Sequence, residues 1–212
     1  MLRYTLLSDG SSDLALIPLL SWLLREGGVS SEIQAEWADL RKLRQPPREL
    51  PERILTSIDL YPCDLLFIHR DAENLSRQER VEELERAVHE AGLRTGNLPP
   101  EVCVVPVRMQ EAWLLFDERA IRNGAGNPNG RQPLHLPDLH QMENLPDPKE
   151  ELYALLREAS GLKGRRRSNF SVSRAVHRTS EFIDDFSPLR ILPAFQALEN
   201  DLRRRIEYHD WN

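Results

Sequence analysis

The sequence predicts an α/β protein: a mostly parallel four-stranded sheet flanked by helices, with a helical C-terminal extension. Two observations carry that reading. Up to about residue 125, apolar runs of strand length alternate with segments of helical periodicity, a pattern that implies crossover connections and a parallel sheet. Beyond a Gly-, Asn- and Pro-rich loop over residues 123–147, only helical periodicity remains. The boundary is therefore set near residue 125, with an α/β core over 1–125 and a helical extension over 126–212 packed back on it.

The elements follow in order. Residues 2–8 read as a buried strand ending at Asp9-Gly10, and Ser11 or Ser12 caps a helix that carries Leu14, Ile17, Leu20 and Leu24. Gly27-Gly28 stops it. Pro18 has no amide hydrogen, which predicts a kink or a late start. A weaker second strand lies within 31–37, followed by a linker at Pro46-Pro47. A helix from near Pro51 then shows Ile54, Leu55 and Ile58 on one face. The apolar run that begins "LLFIHRDAE" (65–73) is the third strand. Ser76 and Glu79 form a capping box for a helix with Val81, Leu84, Val88 and Ala91 on its stripe, terminated by Gly92. "VCVVPV" (102–107) is the fourth strand, and Glu111 opens a helix through Trp113, Leu114 and Phe116 that ends before Gly124. Asp147, Pro148 and Glu150 make a second capping box. Three helices are expected near 148–160, 171–184 and 188–208.

Composition bounds the function. A chain of 212 residues with 40% hydrophobic side chains buries one substantial core without disulfides. Asp and Glu (34) exceed Lys and Arg (28), for a net charge of -6, so a generally basic surface is excluded while a local basic patch or a metal among the acids is not. Cys63 and Cys103 form no CxxC pair and fall in or beside apolar runs; buried free thiols and a reducing cytoplasm are expected. The initial apolar stretch is too short for a signal peptide, and no segment approaches the roughly 20 apolar residues of a membrane span.

The chemistry-bearing residues are acids at strand ends. Ligands of open α/β sheets gather outside the carboxyl ends of the strands. The predicted order puts Asp9 after the first strand, Asp71 and Glu73 after the third, and Glu111 just beyond the fourth. Four carboxylates on one rim repel each other unless a cation sits among them, and an all-oxygen set suits Mg²⁺ or Mn²⁺. Such ions take phosphate oxygens, which points to phosphodiester chemistry on DNA or RNA. Asp13, in a first helical turn, is a weaker candidate, and Asp117 is expected to face away on the same helix as Glu111. Arg70 and Arg108 flank the rim; Arg108 reaches either an acid or a phosphate. Lys163, Arg165, Arg166, Arg167 and Arg174, with Phe170 nearby, form a basic segment able to track a nucleic-acid backbone. Arg203, Arg204 and Arg205 alternate with acids and read as a salt-bridged helix face. His69 reads as a partly packed strand-end residue. No G-x-S-x-G elbow, Walker A sequence, Rossmann fingerprint or zincin pair of histidines is present.

The segments "LLSDGSSD", "IHRDAE" and "VPVRMQEAWLLFD" together resemble the Toprim-like proteins, specifically a single-domain family related to the overcoming-lysogenization-defect nucleases. The likeness extends over most of the chain, including the helical tail "LRILPAFQALENDLRRRI". It implies a Toprim-like fold and a Mg²⁺-dependent site in which Asp9 takes the first acid position, Asp71 and Glu73 the acid-x-acid positions, and Glu111 the acid before the Trp. The resulting expectation is a Mg²⁺- or Mn²⁺-dependent nuclease. Asp9, Asp71 and Glu73 would hold metal, Glu111 would hold metal or polarise the attacking water, and the basic segment would position phosphates. The competing expectation is a non-catalytic subunit that binds a partner, such as the ATPase that relatives of this kind imply. The small size favours a partner or a homodimer in either case.

Overall fold

The computed structural model describes residues 1–211. Its centre is a four-stranded sheet of β1 (Leu2–Leu7), β2 (Ile33–Trp37), β3 (Leu65–His69) and β4 (Glu101–Val104), all parallel, in the order β2-β1-β3-β4. The register sets Tyr4 beside Leu65 and Ile68 beside Cys103. Because β1 and β3 lie inside the sheet and are covered on both faces, they read as unbroken apolar runs rather than as alternating ones. β2, at one edge, alternates half-buried and exposed residues.

Side-chain alternation divides the core in two. Leu2, Tyr4, Leu6, Leu65, Phe67, Val102 and Val104 pack on one side with α1 (Leu16–Glu26) and the C-terminal helices. Leu7, Leu66, Ile68 and Val105 pack on the other with α2 (Leu50–Leu60) and α3 (Arg77–Thr95). The result is a three-layer arrangement, consistent with a Toprim-like α/β fold. Tyr4 crosses from sheet to helix: its ring meets Phe67 edge-on at 5.2 Å, and its buried hydroxyl donates to the Ile17 carbonyl at 3.0 Å.

The chain after β4 builds α4 (Glu118–Gly124), α5 (Pro148–Ala159), the one-turn α6 (Gly164–Ser168), α7 (Val172–Glu181) and α8 (Pro193–His209). α7 lies against α4 and also against the 3₁₀ turn Ser11–Ala15 that follows β1. α8 reaches the sheet edge. Arg205 donates to the Glu101 carbonyl (3.2 Å) and to the Glu101 carboxylate (2.7 Å), occupying part of the open side of β4. Among the described residues, no helix is long and apolar enough to cross a membrane.

Several local expectations are corrected. α1 starts late, at Leu16, so that Pro18 falls in the first turn, where its missing amide hydrogen has no helical partner to lose. α3 runs through Gly92 to Thr95 and stops at Gly96, whose φ of 72° is the left-handed conformation a helix end requires. β4 ends at Val104, two residues before Pro106 removes a donor. The continuous helix expected from Glu111 is instead a 3₁₀ turn, Gln110–Leu114, and the separate α4. Asp117 explains the break: its Oδ1 accepts from the Ala120 amide at 2.9 Å, so it caps a new helix rather than facing away on an old one.

α4 and α7 touch through a glycine. A Cβ on Gly124 would lie 2.1 Å from Thr179 Oγ1 and 2.8 Å from the Ala175 carbonyl oxygen, and the latter is backbone that cannot swing aside. Gly124→Ala is therefore expected to destabilise the protein by about 1–3 kcal/mol in urea unfolding. Adding Thr179→Ser should not restore the loss.

Candidate acidic site

Chain order reverses at β1, whose neighbours are β2 on one side and β3 on the other. The crevice between the carboxyl ends of β1 and β3 is thus the topological switch point, where open α/β sheets take their ligands. A cleft of about 260 Å³ occupies it, lined among others by Asp9, Asp13, His69, Asp71, Glu73 and Arg80.

Gln110 organises the acids. Its backbone amide donates to Asp71 Oδ1 at 3.0 Å, and its side-chain amide donates to Asp13 Oδ1 at 2.9 Å, so one residue after β4 holds a carboxylate from each of the other two loops. Asp13 is buried and also accepts from the Gly10 amide (2.9 Å) and the Ser12 hydroxyl (3.0 Å). Arg80 clamps the β3 loop from behind by donating to the Asp71 carbonyl at 3.0 Å. The loop continues the parallel pairing of its strand, since Ala72 and Glu73 donate their amides to the Pro106 and Arg108 carbonyls. Glu73 sits at φ 54°, a conformation few residues other than glycine adopt, and its side chain is exposed at the cleft.

Electrostatics treat Asp71, Asp13 and Glu111 as one neighbourhood. Burial pushes the Asp71 carboxyl above the usual range and the negative charges of Asp13 and Glu73 add to this, while His69 opposes it. Burial likewise raises Glu111, which is only 2% exposed; Lys149 on α5 opposes, and Asp71 and Asp13 push further upward. Lys149 Nζ stands 3.7 Å from Glu111 Oε1. Burial alone would lower the Lys149 ammonium, but Glu111, Tyr153, Asp71 and Asp13 together raise it. Lys149 thus sits among three carboxylates, with His69, Arg70 and Arg80 lining the crevice beside them. His69 is buried, more completely than the partly packed strand end expected of it. Its Nδ1 lies 2.9 Å from the Val104 carbonyl and so carries the hydrogen, leaving Nε2 toward Asp71 at 3.6 Å, beyond hydrogen-bonding reach.

The predicted site residues separate into groups. Asp71 and Glu73 line the crevice. Glu111 stands behind it, buried beside Lys149. Asp9 lines the crevice, but its carboxylate is engaged by Arg53 and by Arg70 Nε at 3.2 Å. Burial would raise Asp9, and these two guanidinium groups overcome it, holding the carboxyl below the usual range. Arg70 also pairs with Glu83. Arg108 is half-buried and has no ion-pair partner among the described residues. Lys163, Arg165, Arg166, Arg167 and Arg174 are all exposed and likewise free of ion pairs. Arg203, Arg204 and Arg205 pair with Glu199, Asp201 and Glu101. Sequence reasoning overlooked Gln110 and Lys149. A polar residue inside the apolar run "VRMQEAWLL" was the available signal for Gln110; Lys149, in a capping box far along the chain, gave none.

The donor chemistry fits a hard divalent ion, since every candidate ligand is a carboxylate and the acids lining the crevice, Asp9, Asp13, Asp71 and Glu73, outnumber its guanidinium groups, Arg70 and Arg80. Among the described residues, no three His, Cys, Asp or Glu side chains stand close enough to grip one ion together. That is compatible with Mg²⁺, which keeps several waters and is commonly held by one or two carboxylates. Comparison with protein-family models, with curated proteins and with solved structures returned no match to this chain.

Asp71 and Glu111 bind protons more tightly in the folded than in the unfolded state, so stability falls as pH rises above the ordinary carboxylate range. Asp71→Asn keeps an oxygen to accept from Gln110 and removes the charge. It should unfold at a higher temperature than the wild type at neutral pH, with the gap closing as the buffer is made acidic. A lower unfolding temperature at neutral pH would contradict this account.

Proposed function

We propose that the protein is a Mg²⁺- or Mn²⁺-dependent nuclease, hydrolysing phosphodiester bonds of DNA or RNA at the β1/β3 crevice. The observation that carries this reading is the gathering of Asp13 and Asp71 in the switch-point crevice with Glu111 buried behind them, Asp71 and Glu111 having raised pKa. A deficit of positive charge beside an open cleft is what a site reserved for a cation needs.

In this reading Asp71 and Asp13 would hold the ion, with Glu73 at the mouth of the crevice; a bound divalent ion supplies charge neutralisation to the phosphate oxygens. Asp9, committed to Arg53 and Arg70, yields the place expected for it to Asp13. Water attacks phosphorus in line as the bond to the leaving sugar oxygen breaks. The proton of that water would pass to solvent, since a carboxylate that holds the ion is not free to take it. Glu111 adds a buried negative charge that favours the developing positive side of the attacking water, and Lys149 keeps that carboxylate in place.

Phosphates need cations without partners. Arg108, adjacent to the acid loops, is one. The basic segment of 163–174 supplies others, and α7, which it enters, packs on the same 3₁₀ turn that carries Asp13. Substrate backbone running from that segment toward the crevice would meet positive charge before it meets the acids.

Labelled single- and double-stranded DNA and RNA, incubated with Mg²⁺ or Mn²⁺, should be cut by the wild type and left intact by Asp71→Asn. Mn²⁺ should also raise the unfolding temperature of the wild type while leaving an Asp13→Asn, Asp71→Asn double variant unmoved. If wild type and variant behave alike in both assays, the nuclease reading falls and the chain returns to the reading of a partner-binding subunit.

A further inference from the structure

A second cleft, of about 150 Å³, lies on the other side of Asp9, beneath the carboxyl ends of β1 and β2. Asp9 lines both, so the two clefts share a wall. The second differs in character. Its walls set Trp37 and Pro47 among the guanidinium groups of Arg41, Arg48 and Arg53, with the Asp39 carboxylate beside Arg41. Trp37 is fixed in place: its Nε1 donates to Ser8 Oγ at 2.9 Å, and the Arg41 guanidinium stacks over its ring at 4.9 Å from the centroid. Arg41 is in turn held by Asp39, whose Oδ1 accepts from Arg41 Nε at 2.8 Å. Arg53 is turned toward the shared wall, where it donates to the Ser8 carbonyl at 2.7 Å and pairs with Asp9. Arg48, exposed on the loop, has no ion-pair partner among the described residues.

Resting on the phosphodiester reading of the acidic crevice, we propose that this cleft seats one unpaired nucleotide next to the scissile phosphate, so that the substrate is a single strand or an unpaired end. The base lies against the Trp37–Arg41 stack, whose guanidinium presents a second planar surface of the kind bases stack on. The nucleotide's phosphate meets Arg48. Pro46 and Pro47 give the wall a fixed outline, and a space of this size takes one ring system but not a base pair. Asp9 is then a partition between base seat and reaction crevice, which accounts for its being tied down by two arginines instead of turned toward Asp71.

Binding is measured by fluorescence anisotropy with a fluorescein-labelled oligothymidylate or oligouridylate in EDTA, where no cleavage intrudes. The wild type is expected to bind either strand more tightly than a blunt duplex, the two arms separating DNA from RNA. Trp37→Ala should weaken binding roughly tenfold, the range expected for loss of one base stack. Arg48→Glu, on an exposed loop where folding is not at stake, should weaken it and flatten its salt dependence. Quenching of tryptophan emission on binding should be reduced in Trp37→Phe. Wild-type affinity in either Trp37→Ala or Arg48→Glu, equal binding of duplex and single strand, or no binding by the wild type overturns the proposal. The Asp71→Asn cleavage assay is independent: if it fails while these variants lose affinity, the nucleotide seat stands and the nuclease reading does not.

Discussion

Gln110 is the residue on which the geometry of the crevice depends. Carboxylates from two loops that are far apart in the chain are held by one amide side chain and its own backbone, and the strand that delivers it is the shortest in the sheet. Hydrogen bonds to a charged acceptor contribute about 1.5–3 kcal/mol each, whereas withdrawing a carboxylate from water costs several kcal/mol. The bonds therefore fix positions without fully offsetting the desolvation. That shortfall is what lifts Asp71 above its ordinary range even though it has partners. A site with complete compensation would have been a structural salt-bridge cluster. This one keeps Asp71 and Glu111 above their ordinary range.

The helical extension is part of the same arrangement. α5 supplies Lys149, the single ammonium near the acids, and α7 presses on the turn that carries Asp13. Trp113, in the turn after Gln110, meets Phe195 of α8 edge-on at 5.7 Å, so the last helix also buttresses the segment that positions the acids. The C-terminal helices thus do more than cover one face of the sheet. They set the charge and the stiffness of the crevice.

How much of this was legible in the sequence follows from which forces act locally. β1 and β3 could be read because burial on both faces leaves continuous apolar runs, and the α3 start because Ser76 and Glu79 satisfy each other's backbone within four residues. Asp71 and Glu73 could be placed at the crevice because strand order and parallel direction dictate where strand ends fall, whereas Glu111 lies buried behind it. That Asp9 is tied to arginines while Asp13 is bound by Gln110 could not be read. It depends on Arg53 and Arg70 reaching Asp9 across 44 and 61 positions, while Gln110 reaches Asp13 across 97. The division after β4 was hidden for another reason: apolar residues with helical spacing serve a 3₁₀ turn as well as an α-helix, and only the capping of Ala120 by Asp117 decides where the new helix begins.

The sheet also has a limit built into its outer margin. At β4 the Glu101 carbonyl is already taken by Arg205, and a charged side chain fills the place where another molecule's backbone would have to add. At β2 the outward residues Gln34 and Glu36 are polar, and the strand is only five residues long. Neighbouring copies that meet edge to edge at high concentration would have to strip a guanidinium or bury an acid before a continuous ribbon could grow, which protects a sheet of four strands from templating fibrous assembly.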